Sequence, residues 1–468
     1  MKHYMKATVA VTLALSVVFS ANAMEKPRNP AKMLDLRMAV RTAVLNDPWL
    51  AGNRHSEDAL LSQSVAAGEL PDPKMSIGMA NLPTDSLNFG QEAMTQAQIG
   101  ISQMFPAGDT LDIKKRQLEL ESSQYPYQRE DRRAKIAVTV GKLWLDAYKA
   151  QESIVIIEKN RILFDQLTDV AESSYSTALG KSRQQDVIRA QLELTRLDDR
   201  LTILRQRQEM FQERLSEWLN GYFMDKYSYD QQDIKQIETS QFSLVREIPD
   251  INLINLQFFG PTGPTNPETL FEKLSGHPSL QSLEQKIRAS EAGIDLAQQK
   301  YKPEWGVNAG YGYRASDAMG NGRSDLFSVG VTLSIPLFTG NRQDKEVQSA
   351  RSRTSAVKTE KWQLLRKLMA SFETAKAELL RLNERQKLYD TLLLPQMHEQ
   401  AEASLTAYTN DDGDFAEVMR ARIAEMDAEV DALSINVERQ KTILQLNYLF
   451  MTNADEIIAG ASHSGESK

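Results

Sequence analysis

Two stretches of the chain alternate between large apolar and small or polar residues. Trp305, Val307, Ala309, Tyr311 and Tyr313 alternate with Gly306, Asn308, Gly310 and Gly312; beyond a polar loop, Phe327, Val329, Val331, Leu333 and Ile335 alternate with Ser328, Gly330, Thr332 and Ser334. A period of two predicts a strand pair with one apolar face. Earlier in the chain the pattern recurs more weakly, with Met75, Ile77 and Met79 against Ser76, Gly78 and Ala80, then Ala97, Ile99 and Ile101 against Gln98, Gly100 and Ser102. Large side chains on one face and glycine, serine and threonine on the other suit a barrel wall between lipid and a wet lumen. Alternation alone fits a half-buried soluble hairpin equally well, so the surrounding sequence has to decide.

The two hairpins belong to a repeat. Pro48 and Pro278, Pro73 and Pro303, and Pro106 and Pro336 are each 230 positions apart, and Val187 and Ala190 match Val418 and Ala421 at an offset of 231. Self-similarity at a fixed period marks duplicated structural units. Proline donates no backbone hydrogen bond and holds its predecessor extended, so Pro73 and Pro303 fit helix-to-strand boundaries and Pro106 and Pro336 fit strand ends. Four strands cannot close a membrane barrel without leaving open edges in hydrocarbon, so a barrel here requires several chains.

Between the hairpins the period changes to that of a helix. Ile136, Val140, Leu143, Ala147, Ala150, Ile154 and Ile157 are spaced by threes and fours, as are Val187, Ala190, Leu194, Leu197, Leu201 and Leu204. Copy two follows with Leu365, Met369, Phe372 and Leu379, then Met419, Ile423, Met426, Val430, Leu433 and Val437. These are packing seams of long helices. Turns are expected at Ala178-Leu179-Gly180-Lys181-Ser182 and Thr409-Asn410-Asp411-Asp412-Gly413, where small and polar residues interrupt the seams.

The amino terminus carries Lys2 and Lys6, an apolar run from Ala7 to Phe19, and Ala21-Asn22-Ala23, the pattern of a cleaved signal peptide over 1–23. That run is shorter than the roughly 20 residues of a spanning helix. Cysteine is absent, which excludes disulfides, thiolate metal sites and a lipidated cysteine. A net charge of -8 argues against a nucleic-acid partner. His55, His277 and His398 lack metal-ligand spacing, and no phosphate loop, zinc-protease helix or nucleophile elbow occurs. Nothing in the sequence points to an enzyme or a cofactor. Met75, Met79, Met94 and Met104 are soft donors in type, but Met75 and Met79 fall on the apolar strand face, where packing accounts for them. Trp305, Tyr311 and Tyr313 fit an aromatic belt at a membrane interface.

The duplicated hairpins, Ser102-Gln103-Met104-Phe105-Pro106 and Ser334-Ile335-Pro336-Leu337-Phe338, and the turn segments Tyr175–Ala190 and Tyr408–Ala421 together resemble the TolC family of outer-membrane efflux proteins over about residues 30–450. The resemblance implies an α+β membrane protein in the outer membrane with a large periplasmic extension. Its transmembrane β-barrel would be shared among three protomers and continued by a long periplasmic α-helical barrel. Leu70-Pro71-Asp72-Pro73 and Asn81-Leu82-Pro83 are most similar to the branch serving heavy-metal RND-type systems. The implied partners are a homotrimer, a periplasmic membrane-fusion adaptor, an inner-membrane RND-type pump and outer-membrane lipid, and the implied cargo is metal cations. Multidrug efflux and type I secretion remain alternatives, and a periplasmic coiled-coil scaffold is the alternative of a different class.

The same resemblance makes the helical tips the gate. Glu417 occupies the family's acidic slot in the second hairpin, with Asp414, Asp411 and Asp412 beside it; Asp186 is the match in the first, while Arg420 departs from the acidic pattern. Threefold symmetry would turn each acid into a ring that attracts cations. Gly180, Ser182, Gln184, Gln185 and Gly413 are the candidate adaptor contacts. The expected organisation is a signal peptide (1–23), a first repeat (30–220), a linker and equatorial segment (221–276), a second repeat (277–450) and a polar tail (451–468).

Overall fold

A computed structural model describes residues 32–176, 184–220, 242–254, 258, 266–317, 319–410, 413–451 and 457–458. Each repeat opens with a helix feeding a strand hairpin. In copy one, α2 (Pro48–Gly68) leads to β2 (Lys74–Ala80) and β3 (Gln96–Phe105); in copy two, α7 (Pro278–Gln299) leads to β5 (Glu304–Tyr313) and β6 (Leu326–Ser334). Proline heads both helices, where its missing N–H would have no helical acceptor. The N-caps are Asp47 and His277, whose side chains accept from Trp49 N and Ser279 N.

The strands form one antiparallel sheet in the order β2-β3-β5-β6. Its register places Met75 opposite Ile101, Ile99 opposite Tyr311, Phe105 opposite Trp305 and Tyr311 opposite Phe327, so the apolar positions of all four strands share a face. That face is open: Ile77 is 75% exposed, Phe327 73% and Val329 64%. Glycine, serine, asparagine and glutamine make up most of the opposite face.

One proline pair is not structurally equivalent. Lys74 and Glu304, 230 positions apart, face Ser102 and Ser334, which are 232 apart. Strands β3 and β6 therefore correspond at 232, and Gly108 and Gly340 are matching corners beneath them. Pro106 directly follows β3, whereas Pro336 lies two residues past β6. A proline needs only an unpaired position near a strand end, so a coincident spacing does not require a common register.

Beneath the sheet, α2, α3 (Thr110–Ser122), α7 and α8 (Gln343–Leu388) pack side by side in the strand order. Copy one continues through α4 (Gln124–Ser176) and returns through α5 (Gln184–Leu219). At about 1.5 Å per residue, the 53 residues of α4 reach about 80 Å. Copy two descends through α8, a π turn at Tyr389–Leu393 and α9 (Leu394–Thr409), then returns through α10 (Phe415–Phe450). Helix α10 packs on α4 on one side and on α9 on another. Pro395, near the start of α9, cannot donate to a helical ladder, and the π turn just before it loosens the same stretch.

At mid-height, β1 (Lys32–Leu34) pairs in parallel with β4 (Phe242–Leu244), flanked by α1 (Leu36–Asn46) and α6 (Pro267–Ser275). The main core lies here, joining Leu36, Trp144, Leu145, Leu270, Phe372 and Leu444. Trp144 is 1% exposed and donates its Nε1–H to Leu34 O at 3.1 Å. Met451, Ile457 and Ile458 are buried in this core, so the segment expected as a polar tail from 451 begins with residues that pack. The first 31 residues, including the expected signal peptide, lie outside the described residues.

Candidate functional site

The lower ends of the two helical hairpins are fastened side by side. Phe415, Val418, Met419 and Met426 of α10 pack with Ile157, Phe164, Leu167 and Ala171 of α4 and with Ala190, Leu197 and Leu201 of α5. The seam residues read from the sequence thus bind one copy's tip to the other's. Tyr408 and Phe415 close the second hairpin edge to face, with ring centroids 5.6 Å apart.

In copy two the chain turns at Gly413, where an added Cβ would lie 2.7 Å from Tyr408 N and 2.9 Å from Ala407 C. Only glycine lets the turn approach the end of α9 so closely. Asp414 is the N-cap of α10, accepting from Ala416 N at 3.3 Å, and Glu417 stands in the first turn. Both carboxylates are exposed and sit at the positive end of the helix dipole, which stabilises them where they are. Asp411 and Asp412 lie outside the described residues, as do Gly180 and Ser182. Gln184 and Gln185 begin α5 and are exposed.

Asp186 does not fit the expected exposed ring. It is 6% exposed, in the first turn of α5, one turn before Ala190, which is fully buried between the hairpins. Packing of α5 against its neighbours turns this carboxylate into the protein, so the acidic surface described at the tip comes from copy two.

The contact that sequence analysis missed lies one turn above. Arg422, with 10% of its side chain exposed, pairs with Glu402 of α9 at 2.6 Å and with Glu425 of its own helix at 2.8 Å; His398 of α9 meets Glu425 at 2.6 Å. The Arg422–Glu402 ion pair and the His398–Glu425 hydrogen bond hold α9 to α10, and Glu425 fixes Arg422 from within its own helix. The hydrogen bond from Arg422 holds the Glu402 carboxyl below the usual glutamate range. The i,i+3 spacing of Arg422 and Glu425 was visible in the sequence, but the partners on α9 lie across the turn. Among the described residues no cluster of three or more histidine, cysteine, aspartate or glutamate side chains could hold a metal ion.

The polar face of the sheet is the second part of the site. It forms a concavity lined by Ser76, Gln96, Gln98, Ser102, Asn308 and Ser328. Gln96 lies across Gly312 and Asn308 across Gly330, where a Cβ would meet their side chains at 2.0 and 2.9 Å. The glycines leave room for larger polar groups of neighbouring strands, keeping the concavity hydrophilic. Met104 projects onto this face across Gly306, away from Met75 and Met79.

Residues 270–450 match the family described as outer membrane efflux protein. No curated protein matches the chain. Among solved structures, the CmeC outer membrane channel of Campylobacter jejuni is similar at 13% identity with a TM-score of 0.69, covering 98% of this chain and 96% of that one. The CusC structures, which describe folding and transmembrane channel formation, match at 14% identity and TM-score 0.68 over 90% and 93% of the two chains. The open state of the Neisseria gonorrhoeae MtrE outer membrane channel matches at 12% and 0.65 over 92% and 91%. Residues 270–450 carry the outer membrane efflux protein domain, and over nine-tenths or more of the chain the fold is that of these outer membrane channels.

Proposed function

We propose that the protein is the outer-membrane exit duct of a tripartite efflux system, working as a homotrimer with a periplasmic membrane-fusion adaptor and an inner-membrane RND-type pump. The observation that carries this is the four-stranded sheet: one face is apolar and open, the other is polar and concave, and the edge strands β2 and β6 each have one side without a strand partner among the described residues. No helix of the described residues is long and apolar enough to cross a membrane, so strands are the elements suited to that role. Three such sheets supply twelve strands, each apolar face meets lipid, and each polar concavity becomes a share of the lumen.

The cargo proposed is metal cations. Its support is the resemblance of Leu70-Pro71-Asp72-Pro73 to the heavy-metal branch, together with exposed Asp414 and Glu417 at the periplasmic mouth. The adaptor would dock on the tips, where Gln184 and Gln185 offer exposed hydrogen-bonding groups and Gly413 fixes the shape of the neighbouring turn. Such a duct supplies no energy; the pump does. The test is single-channel conductance of detergent-purified mature protein in a planar bilayer at low salt. A small, mostly closed, cation-selective pore is expected; a water-soluble oligomer that never inserts would overturn the duct in favour of a periplasmic scaffold.

A further inference from the structure

The loop that joins β2 to β3 holds a leucine in a backbone conformation that leucine disfavours. Leu87 has φ +54°, the left-handed region in which Cβ crowds the following carbonyl oxygen, and it is 68% exposed. The loop enforces that conformation. Leu87 N donates to Pro83 O at 3.0 Å, Asn88 N to Ser86 Oγ at 3.1 Å, Gly90 N to Asn88 Oδ1 at 3.0 Å and Gln91 Nε2 to the Asp85 carboxylate at 3.3 Å. Thr95 closes the base of the loop, its Oγ1 donating to Asn81 O at 2.7 Å. Glycine would adopt this backbone without strain. A strained, exposed, apolar side chain on an ordered loop adds nothing to the protomer's own fold, so its use lies in a contact outside the protomer.

The rest of the loop indicates what that contact is. Phe89, two residues on, stacks on Tyr313, the last residue of β5 on the apolar face, with ring centroids 6.3 Å apart and planes within 11° of parallel. The loop therefore lies against the end of the apolar face remote from the helices. Tyr311, Tyr313 and Phe327 stand exposed at the same end. Aromatic side chains with a polar tip collect where a membrane meets water, and Leu87 extends that zone beyond the strands.

Two cations are fixed beside this apolar end. Arg314 Nε donates to Ser324 O at 2.7 Å and its Nη1 to Ala93 O at 3.3 Å, while Arg323 Nη1 donates to Glu92 O at 2.8 Å. Both arginines are half-buried, and both reach from the β5–β6 loop to carbonyl oxygens of the β2–β3 loop. Carbonyl oxygens orient a guanidinium without cancelling its charge, and neither side chain forms an ion pair among the described residues. The nearby acids are engaged elsewhere: Asp325 accepts from Tyr311 Oη and from Arg314 N, and Asp317 accepts from Asn321. Nε and Nη2 of Arg323 have no acceptor among the described residues. A guanidinium held this way is suited to the oxygens of a phosphate.

We infer that this end of the sheet binds a phosphate-bearing lipid of the outer leaflet, its acyl chains against Leu87, Phe89 and Phe327 and its phosphate on Arg314 and Arg323. The inference rests on the outer-membrane duct proposed above, which sets these loops at the outer face of the bilayer. A free anion would engage the arginines and leave the strained leucine without use. An apolar partner would cover the leucine and leave two charges uncompensated. An anionic lipid answers both features, and the surface is continuous with the face that the duct turns to lipid.

The test is native mass spectrometry of the mature, full-length protein released from detergent with one defined lipid added at a time: bisphosphorylated lipid A, its monophosphoryl form, or phosphatidylcholine. Bisphosphorylated lipid A is expected to bind most tightly and phosphatidylcholine least. Arg323→Gln should weaken lipid A binding about tenfold, the loss of one charge-assisted contact, and narrow the preference over the monophosphoryl form. Leu87→Gly relieves the backbone strain, so the loop should resist protease at least as well as in the wild type while lipid A binding falls; a merely structural leucine would not separate the two readouts. Unchanged lipid A affinity in either variant, or equal binding of phosphatidylcholine by the wild type, overturns the inference. A lower temperature of trimer dissociation in Leu87→Gly with lipid A affinity unchanged overturns it in favour of a contact with a second copy of the chain. Ordinary conductance in a planar bilayer alongside any of these failures leaves the duct standing, whereas a protein that never inserts removes the duct and this surface with it.

Discussion

Arg422 of α10 reaches across the tip of the second hairpin to Glu402 of α9, Nη2 to carboxylate oxygen at 2.6 Å, and is among the few charged side chains there drawn almost wholly out of water. It braces the segment that follows the π turn. Arg422→Leu should loosen α9 from α10 at a cost of about 1–3 kcal/mol, below the range for a fully buried pair because Glu402 is half in water. Longer or more frequent openings in single-channel records are expected, and unchanged gating would remove the brace. The pH dependence has a definite sign. A carboxyl held below its usual range stabilises the folded tip above that range and loses the contribution as pH falls through its lowered value. Acid should therefore open the wild-type channel more than Arg422→Leu.

Asp414 and Glu417 are close in sequence but have different work. Asp414 caps α10, so Asp414→Ala should cost about 1 kcal/mol in tip stability, while Asp414→Asn keeps an acceptor and removes only charge. Glu417 accepts no such bond among the described residues. Combining Asp414→Asn with Glu417→Gln is expected to reduce cation over anion selectivity at low salt, with a drop in tip stability of only about 0.3–1 kcal/mol per lost charge at the helix end. Equal selectivity in the variant and the wild type would show that these acids serve the helix end and not the pore.

Much of this architecture was legible because it rests on local periodicity. The apolar faces of β5 and β6 and the seam from Ile136 to Ile157 follow from spacing alone, and burial of Val140, Ala147 and Ile157 fits it. Register was less legible: the proline spacing at 106 and 336 suggested one offset, whereas the ladder gives another, since strand pairing is set by partners elsewhere in the chain. Asp186 could not be assigned from sequence, because an acid at a helix start looks the same whether the helix end faces water or a neighbour. Arg422 was invisible for a similar reason, its meaning lying in Glu402 across a turn.

His277 offers a pH probe of the equatorial core. It caps α7, meets Ser279 Oγ at 2.7 Å and Tyr448 O at 3.1 Å, and burial holds its pKa below the ordinary histidine value. The unfolded chain then takes up a proton more readily than the folded one. Stability should be complete above the unfolded value, about 6.5, and fall as pH drops through it toward the lower folded value. Urea midpoints followed from neutral to mildly acidic pH should show this decline, and His277→Asn, which retains a cap acceptor, should flatten it. An identical slope in the variant would assign the decline to other groups.

Ser328 and Val329 are neighbours in β6 that point to opposite faces of the sheet, so one pair of substitutions tests the whole wall. Val329 is 64% exposed on the apolar face, and Ser328 lines the polar concavity. Val329→Arg places a cation in lipid at a cost of about 2–4 kcal/mol near the bilayer midplane. It should reduce the heat-resistant oligomer recovered from outer membranes. Ser328→Arg places the same side chain in the lumen, where water solvates it; assembly should be normal while three added cations lower conductance and shift selectivity toward anions. Equal tolerance at both positions would contradict a lipid-facing sheet, because a soluble, water-exposed strand penalises neither. The reverse result, with Ser328→Arg disrupting assembly and Val329→Arg harmless, would mean that the apolar face packs outside lipid and that the concavity is a protein interface.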